Sequence, residues 1–142
     1  MFKRISLSFI TFLLATCISA APTASDNATI DANLNIPRPI CAGRAGPPGN
    51  RDEAYDCMDF LFARGEEWCG TGDSDMITFC QSGNTKVVGI SLKAGTRSLC
   101  KDVALGLKIV VEFCCINNVQ KICSGKGDTN GNGDLVVGVW AV

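Results

Sequence analysis

Two cysteines stand side by side at Cys114 and Cys115, and six more are spread from Cys41 to Cys123. No other feature restricts the fold as much. Thiols at this density act as metal ligands, as redox groups or as crosslinks. The usual zinc patterns require histidines or a C-x-x-C pair, and the chain has neither. A dithiol redox centre needs a close pair with a tuned thiolate, and only Cys114–Cys115 is close. Bonding those two directly would strain the peptide between them. Crosslinking is the remaining reading. Eight cysteines can pair in roughly a hundred ways, and the sequence does not choose among them. Adjacent residues project in different directions from either a strand or a helix, so Cys114 and Cys115 should reach different partners.

The N-terminus fits an oxidising destination. Lys3 and Arg4 precede the apolar run "ISLSFITFLLATCI", and small residues lead to Ala20, the pattern of a secretory signal over residues 1–20. The run is shorter than the roughly 20 apolar residues of a membrane span, so no transmembrane segment is expected. Cys17 leaves with the signal, which turns nine cysteines into eight, an even number suited to four disulfides in an extracellular protein. Lys3 and Arg4 leave too, so eleven basic residues face fourteen acidic ones and the net charge moves from −1 to −3. That balance lacks the basic footprint of a nucleic-acid binder and the attraction of a cationic amphipath for lipid.

Residues 21–37, "APTASDNATIDANLNIP", are small and polar without periodicity and read as a flexible N-terminal arm. Asn27 opens a glycosylation sequon there. Residues 38–142 are too few to divide and read as a single cysteine-rich domain. "RPICAG" reads as an edge strand because prolines suit an edge. A helix is expected over 50–64, with Asn50 and Glu53 forming a capping box and Ala54, Cys57, Met58, Leu61 and Phe62 on one apolar face. "DMITFCQSG" and "TKVVGISL" read as a hairpin through Gly83-Asn84. A second helix is expected over 98–114, capped by Ser98 or Thr96, with Val103, Leu107, Val110, Val111 and Cys114 facing inward. Its Ile109-Val110-Val111 run and Gly106 work against helix formation. "INNVQKIC" and "DLVVGVWAV" are strand candidates around a glycine-rich link. This order predicts an α+β fold: a two-layer sandwich, with both helices on one face of an antiparallel sheet.

Chemistry is sparse. Without histidine, the Ser-His and Cys-His nucleophile pairs cannot be built, and no carboxylate pair stands out from surface charge. Asp52, Asp56 and Asp59 read as a solvated helix face. "DTNGNGD", residues 128–134, resembles the start of a calcium loop, but Val139 stands where the bidentate Glu belongs. No enzyme activity, metal or cofactor is expected. Trp68 and Trp140 read either as partner anchors or as packing residues. Loops 43–50, "GRAGPPGN", and 125–134, "GKGDTNGNGD", are the expected recognition surface, with Arg44 and Lys126 as contact residues.

The chain resembles the small secreted cysteine-rich effectors of filamentous fungi, in particular the killer-toxin-like and Ecp-type necrosis-inducing effectors. Carrying the likeness are Asp56-Cys57, Trp68, "CKDVALGL" from Cys100, the pair Cys114–Cys115, Gly125 and the closing "NGDLVVGVW". The resemblance implies a monomer that binds a host protein or glycan in a plant during infection. Its alternative is an antimicrobial protein acting on competing microbes.

Overall fold

The structure is a computed structural model that describes residues 37–41, 46–115 and 120–142. All of them belong to one compact unit, Leu34–Val142. The signal, most of the arm, the sequon at Asn27 and Arg44 lie outside the described residues.

Strands β1 (Ile40–Cys41) and β2 (Gly49–Asn50) precede helix α1 (Arg51–Arg64). Strands β3 (Trp68–Gly70), β4 (Met76–Ser82), β5 (Thr85–Ser91) and β6 (Arg97–Leu99) lead to helix α2 (Cys100–Cys114). Then come β7 (Ile122–Cys123), β8 (Gly125–Thr129) and β9 (Asn132–Ala141). The main sheet is antiparallel, in the order β1-β8-β9-β5-β4. Two short ribbons, β2–β7 and β3–β6, stand beside it. The expected α+β sandwich is the observed one.

Alternation along β9 explains the layering. Leu135, Val137 and Val139 point to one side and are fully buried with Val87 of β5 against both helices. From α1 come Ala54, Cys57 and Leu61; from α2 come Val103, Ala104, Leu107, Val110 and Val111. The helical spacing in α2 thus overrides its β-branched run, because four of the five expected positions are fully buried. In α1, Phe62 is exposed instead of packed. The β4–β5 hairpin turns at Gly83, whose φ of +51° is a conformation that favours glycine.

Both expected caps differ from the sequence reading. Asn50 does accept from the backbone of Asp52 and Glu53 at 2.8 and 3.4 Å. Glu53, however, does not reach back to Asn50. Its carboxylate accepts from the Asn84 amide at 3.1 Å and the Thr85 hydroxyl at 2.6 Å, while Thr85 Oγ1 accepts from the Asn50 amide at 2.7 Å. The capping box is therefore opened and routed through a buried threonine, tying α1 to the hairpin turn. For α2, neither Ser98 nor Thr96 caps. Leu99 holds the cap position without a side-chain bond. The backbone carbonyls of Glu67 and Gly65 accept from the Cys100 and Lys101 amides at 2.8 and 3.0 Å.

The glycine-rich link also differs. Residues 125–134 were expected as a loop, yet β8 and the start of β9 run through them, joined by a tight turn at Asn130-Gly131. Glycine is tolerated there because α2 lies close: a Cβ on Gly125 would sit 2.8 Å from Cys114 Sγ. Similarly, Gly49–Asn50 of the other expected loop forms β2 against β7. In "INNVQKIC" only Ile122–Cys123 is seen as strand; residues 116–119 lie outside the described set.

Candidate interaction site

Four disulfides take up all eight cysteines from Cys41 to Cys123. They are Cys41–Cys114, Cys57–Cys80, Cys69–Cys100 and Cys115–Cys123. Adjacent Cys114 and Cys115 find partners on opposite sides of them in the sequence, Cys41 before and Cys123 after. The first ties α2 to edge strand β1, and the second ties the end of α2 to β7. Cys57–Cys80 pins α1 to β4. Each helix is thus bonded to the sheet layer, and the segments leaving the helices are held by the same points.

The third bridge builds the most distinctive surface. In the β3–β6 ribbon, Trp68 pairs with Leu99, Cys69 with Ser98 and Gly70 with Arg97. Cys69 and Ser98 are buried, and Cys69 is bonded to Cys100 at the start of α2. Alternation then turns Trp68 and Arg97 outward, on diagonal positions of one face. Arg97 crosses Gly70 to reach the indole: a Cβ on Gly70 would lie 2.7 Å from Arg97 Cβ. The guanidinium carbon stands 4.5 Å from the centre of the Trp68 ring, a cation–π contact. Asn132 Nδ2 donates to the Arg97 carbonyl at 2.9 Å and holds the ribbon against β9.

Trp68 remains 57% exposed, a large apolar ring kept in water on a crosslinked ribbon. Charged pairs surround the segment that leads to it. Arg64 Nε donates to Glu67 at 2.9 Å and the Arg64 guanidinium carbon lies 5.8 Å from the centre of the Phe60 ring, while Lys101 pairs with Glu66. The hydrogen bond to Glu66 holds the Lys101 ammonium above its usual range. These exposed pairs lie along residues 64–67, just before Trp68.

The other expected contact residues divide. Trp140 is only 8% exposed; its ring lies across Gly138 on the sheet face away from the helices, with Gly46 above it. It is a packing residue, because a neighbouring glycine leaves room for the indole. Lys126 lies on strand β8, not on a loop, and points to that same outer face. Asp128 and Asp134 of the calcium-like segment are strand residues on either side of the hairpin turn. Among the described residues no group of three His, Cys, Asp or Glu side chains could hold a metal ion, and no helix is long and apolar enough to cross a membrane.

Of the helix carboxylates, Asp52 pairs with Lys121, and the hydrogen bond from that lysine holds its carboxyl below the usual range. Asp56 accepts from Ser82 Oγ at 2.9 Å, beside a shallow groove lined by Phe60, Phe79 and Gln81. Sequence reasoning missed the β3–β6 ribbon because three-residue strands show no measurable alternation. It also missed Arg97, which is read only once the register is known.

Residues 38–141 match the family described as "Domain of unknown function (DUF8794)", and the chain belongs to that family. No curated protein and no solved structure matches it.

Proposed function

We propose that this member of the DUF8794 family is a secreted, monomeric recognition protein of the fungal effector type. It acts by binding a host protein or glycan and not by catalysis. The observation that carries this reading is Trp68, exposed and yet held in one orientation by Arg97 and the Cys69–Cys100 bridge. An indole left in water gains free energy only when a partner covers it. Tryptophan and arginine are the residue types most enriched in binding hot spots. Both have flat faces suited to a sugar ring or to a partner's side chain. Holding them beforehand reduces the ordering entropy that association would otherwise cost.

Supporting the exported setting are the four disulfides and the secretory pattern of residues 1–20. The likeness to cysteine-rich effectors supports a host target. Infiltration of purified protein into leaf tissue, beside its addition to microbial cultures, tests the proposal. The native protein should provoke a leaf response, and Trp68→Ala should need roughly thirtyfold more protein for the same response. Its melting temperature should stay within a few degrees of the native one, since Trp68 is more than half exposed. A well-folded Trp68→Ala protein with full leaf activity overturns the assignment of the site. Activity confined to microbial cultures overturns the host target.

A further inference from the structure

The main sheet has two edges, and the chain treats them differently. One edge, β1, is two residues long, follows Pro37 and Pro39 and is bonded through Cys41 to α2. Short length and prolines are usual means of keeping an edge from pairing. The other edge, β4, runs for seven residues, Met76–Ser82, without a proline or a charge. Met76, Ile77 and Thr78 are all exposed, although alternation points Ile77 to one face and its neighbours to the other. Among the described residues no strand pairs with the outer side of β4. The Asp75 carbonyl accepts from the Ser91 amide at 2.8 Å, so alternation turns the N–H and C=O of Met76 and Thr78 away from β5. A bulge at Phe79 bends the strand beyond them and leaves Met76–Thr78 regular.

The shallow groove beside Asp56 runs along this same edge, on the helix side. It holds about 460 Å³ and is lined by Asp56 and Phe60 of α1 and by Phe79, Cys80, Gln81 and Ser82 of β4. Phe60 is half exposed, and the Phe79 ring lies across Gly89. Asp56 is the one ionisable side chain of this lining, and its bond is to the neutral Ser82 hydroxyl. Exposed Asp59, one turn along α1, adds negative charge. Nearby cations are turned elsewhere. Arg64 is held by Glu67, and Lys86, next to inward Val87, lies on the far face of the sheet. An open row of backbone groups is matched by another extended backbone, and a carboxylate among aromatic rings is matched by a cation on an apolar stem.

We propose that the β4 edge binds an extended, basic peptide segment of a partner protein, which adds a strand to the five of the main sheet. The segment's backbone pairs with Met76 and Thr78. Its alternate side chains turn toward α1, an apolar one against Phe60 and Phe79 and a lysine or arginine at Asp56. Main-chain bonds supply the affinity, and the groove selects the alternation of apolar and basic side chains. This surface goes beyond the Trp68 site and uses none of its residues.

The probe is a fluorescein-labelled, end-capped heptapeptide that alternates threonine with valine, valine and lysine. Its polarisation should saturate at one equivalent, and amide exchange at Met76 and Thr78 should slow when it binds. Glutamate in place of the lysine should weaken binding roughly tenfold, and Asp56→Lys should reverse that preference. N-methylation of every second peptide amide should abolish binding in one phase and be tolerated in the other, since a single edge of the added strand is engaged. Ile77→Lys, a charge of the kind that blunts natural edges, should weaken binding as well. Polarisation that never saturates, equal binding of the lysine and glutamate peptides, or unchanged exchange at Met76 and Thr78 overturns the proposal in the native protein, whether or not the variants fold. A native dimer in sedimentation that Ile77→Lys dissociates also overturns it, because a second copy would then hold the edge. So does binding seen only after removal of residues 21–36, which would make the chain's own arm the occupant.

Discussion

At the scale of single residues, Gly106 shows why local preference and packing have to be weighed against each other. Read from the sequence, it is a weak point in α2, and alanine should improve the helix by up to about 1 kcal/mol. In the fold, a Cβ there would lie 2.7 Å from the Asp128 carbonyl oxygen and 2.9 Å from Thr129 Cα. Both are backbone atoms of the β8–β9 hairpin and cannot swing aside. Overpacking of this kind costs about 1–3 kcal/mol, so packing wins. Gly106→Ala should lower unfolding free energy by about 1–2 kcal/mol in denaturant titration. A gain in stability would mean that α2 does not approach the sheet this closely. The same lesson applies to Glu53, which was legible as a capping residue from its spacing. Its true partners, Asn84 and Thr85, lie more than thirty positions away and are set by tertiary register.

Secondary-structure elements with long, regular patterns were readable, and short ones were not. Helix α1, helix α2 and the β4–β5 hairpin follow from apolar spacing and a Gly-Asn turn. Strands β3, β6 and β7 have two or three residues each, and their pairing comes from disulfides and neighbours. Glycine-rich β8 was hidden for another reason: small residues signal loops until a helix is known to lie against them. Disulfide pairing was not legible at all, although the divergence of Cys114 and Cys115 was. The bridges differ in how much chain they close. Cys41–Cys114 spans 73 positions and Cys115–Cys123 only 8. Loop-closure entropy then makes loss of the first costlier by about 2 kcal/mol. Replacing Cys41 and Cys114 together by serine should therefore lower stability more than replacing Cys115 and Cys123 together. Equal losses in matched denaturant titrations would show that strain or residual structure outweighs chain entropy in these loops.

For the molecule as a whole, the four bridges predict a simple chemical count. Reduction of the folded domain should add eight hydrogens to its mass, two for each bridge, and alkylation without reduction should add nothing. One titratable thiol would reveal that Cys17 has been retained; two or more would contradict the bridges themselves. The sheet order bears on how such a chain comes into being. Strand β9 lies at the centre of the sheet but follows every other strand in sequence. As the polypeptide is synthesised from its N-terminus, Cys57–Cys80 and Cys69–Cys100 have both partners once residue 100 has emerged. Cys41 must wait for Cys114, and Cys115 for Cys123. Until residues 132–141 arrive, the β1–β8 and β4–β5 pairs have no strand between them. A product cut short by a dozen residues is thus left with two separated sheet fragments and an open core, and the apolar surface it shows distinguishes it from the finished protein.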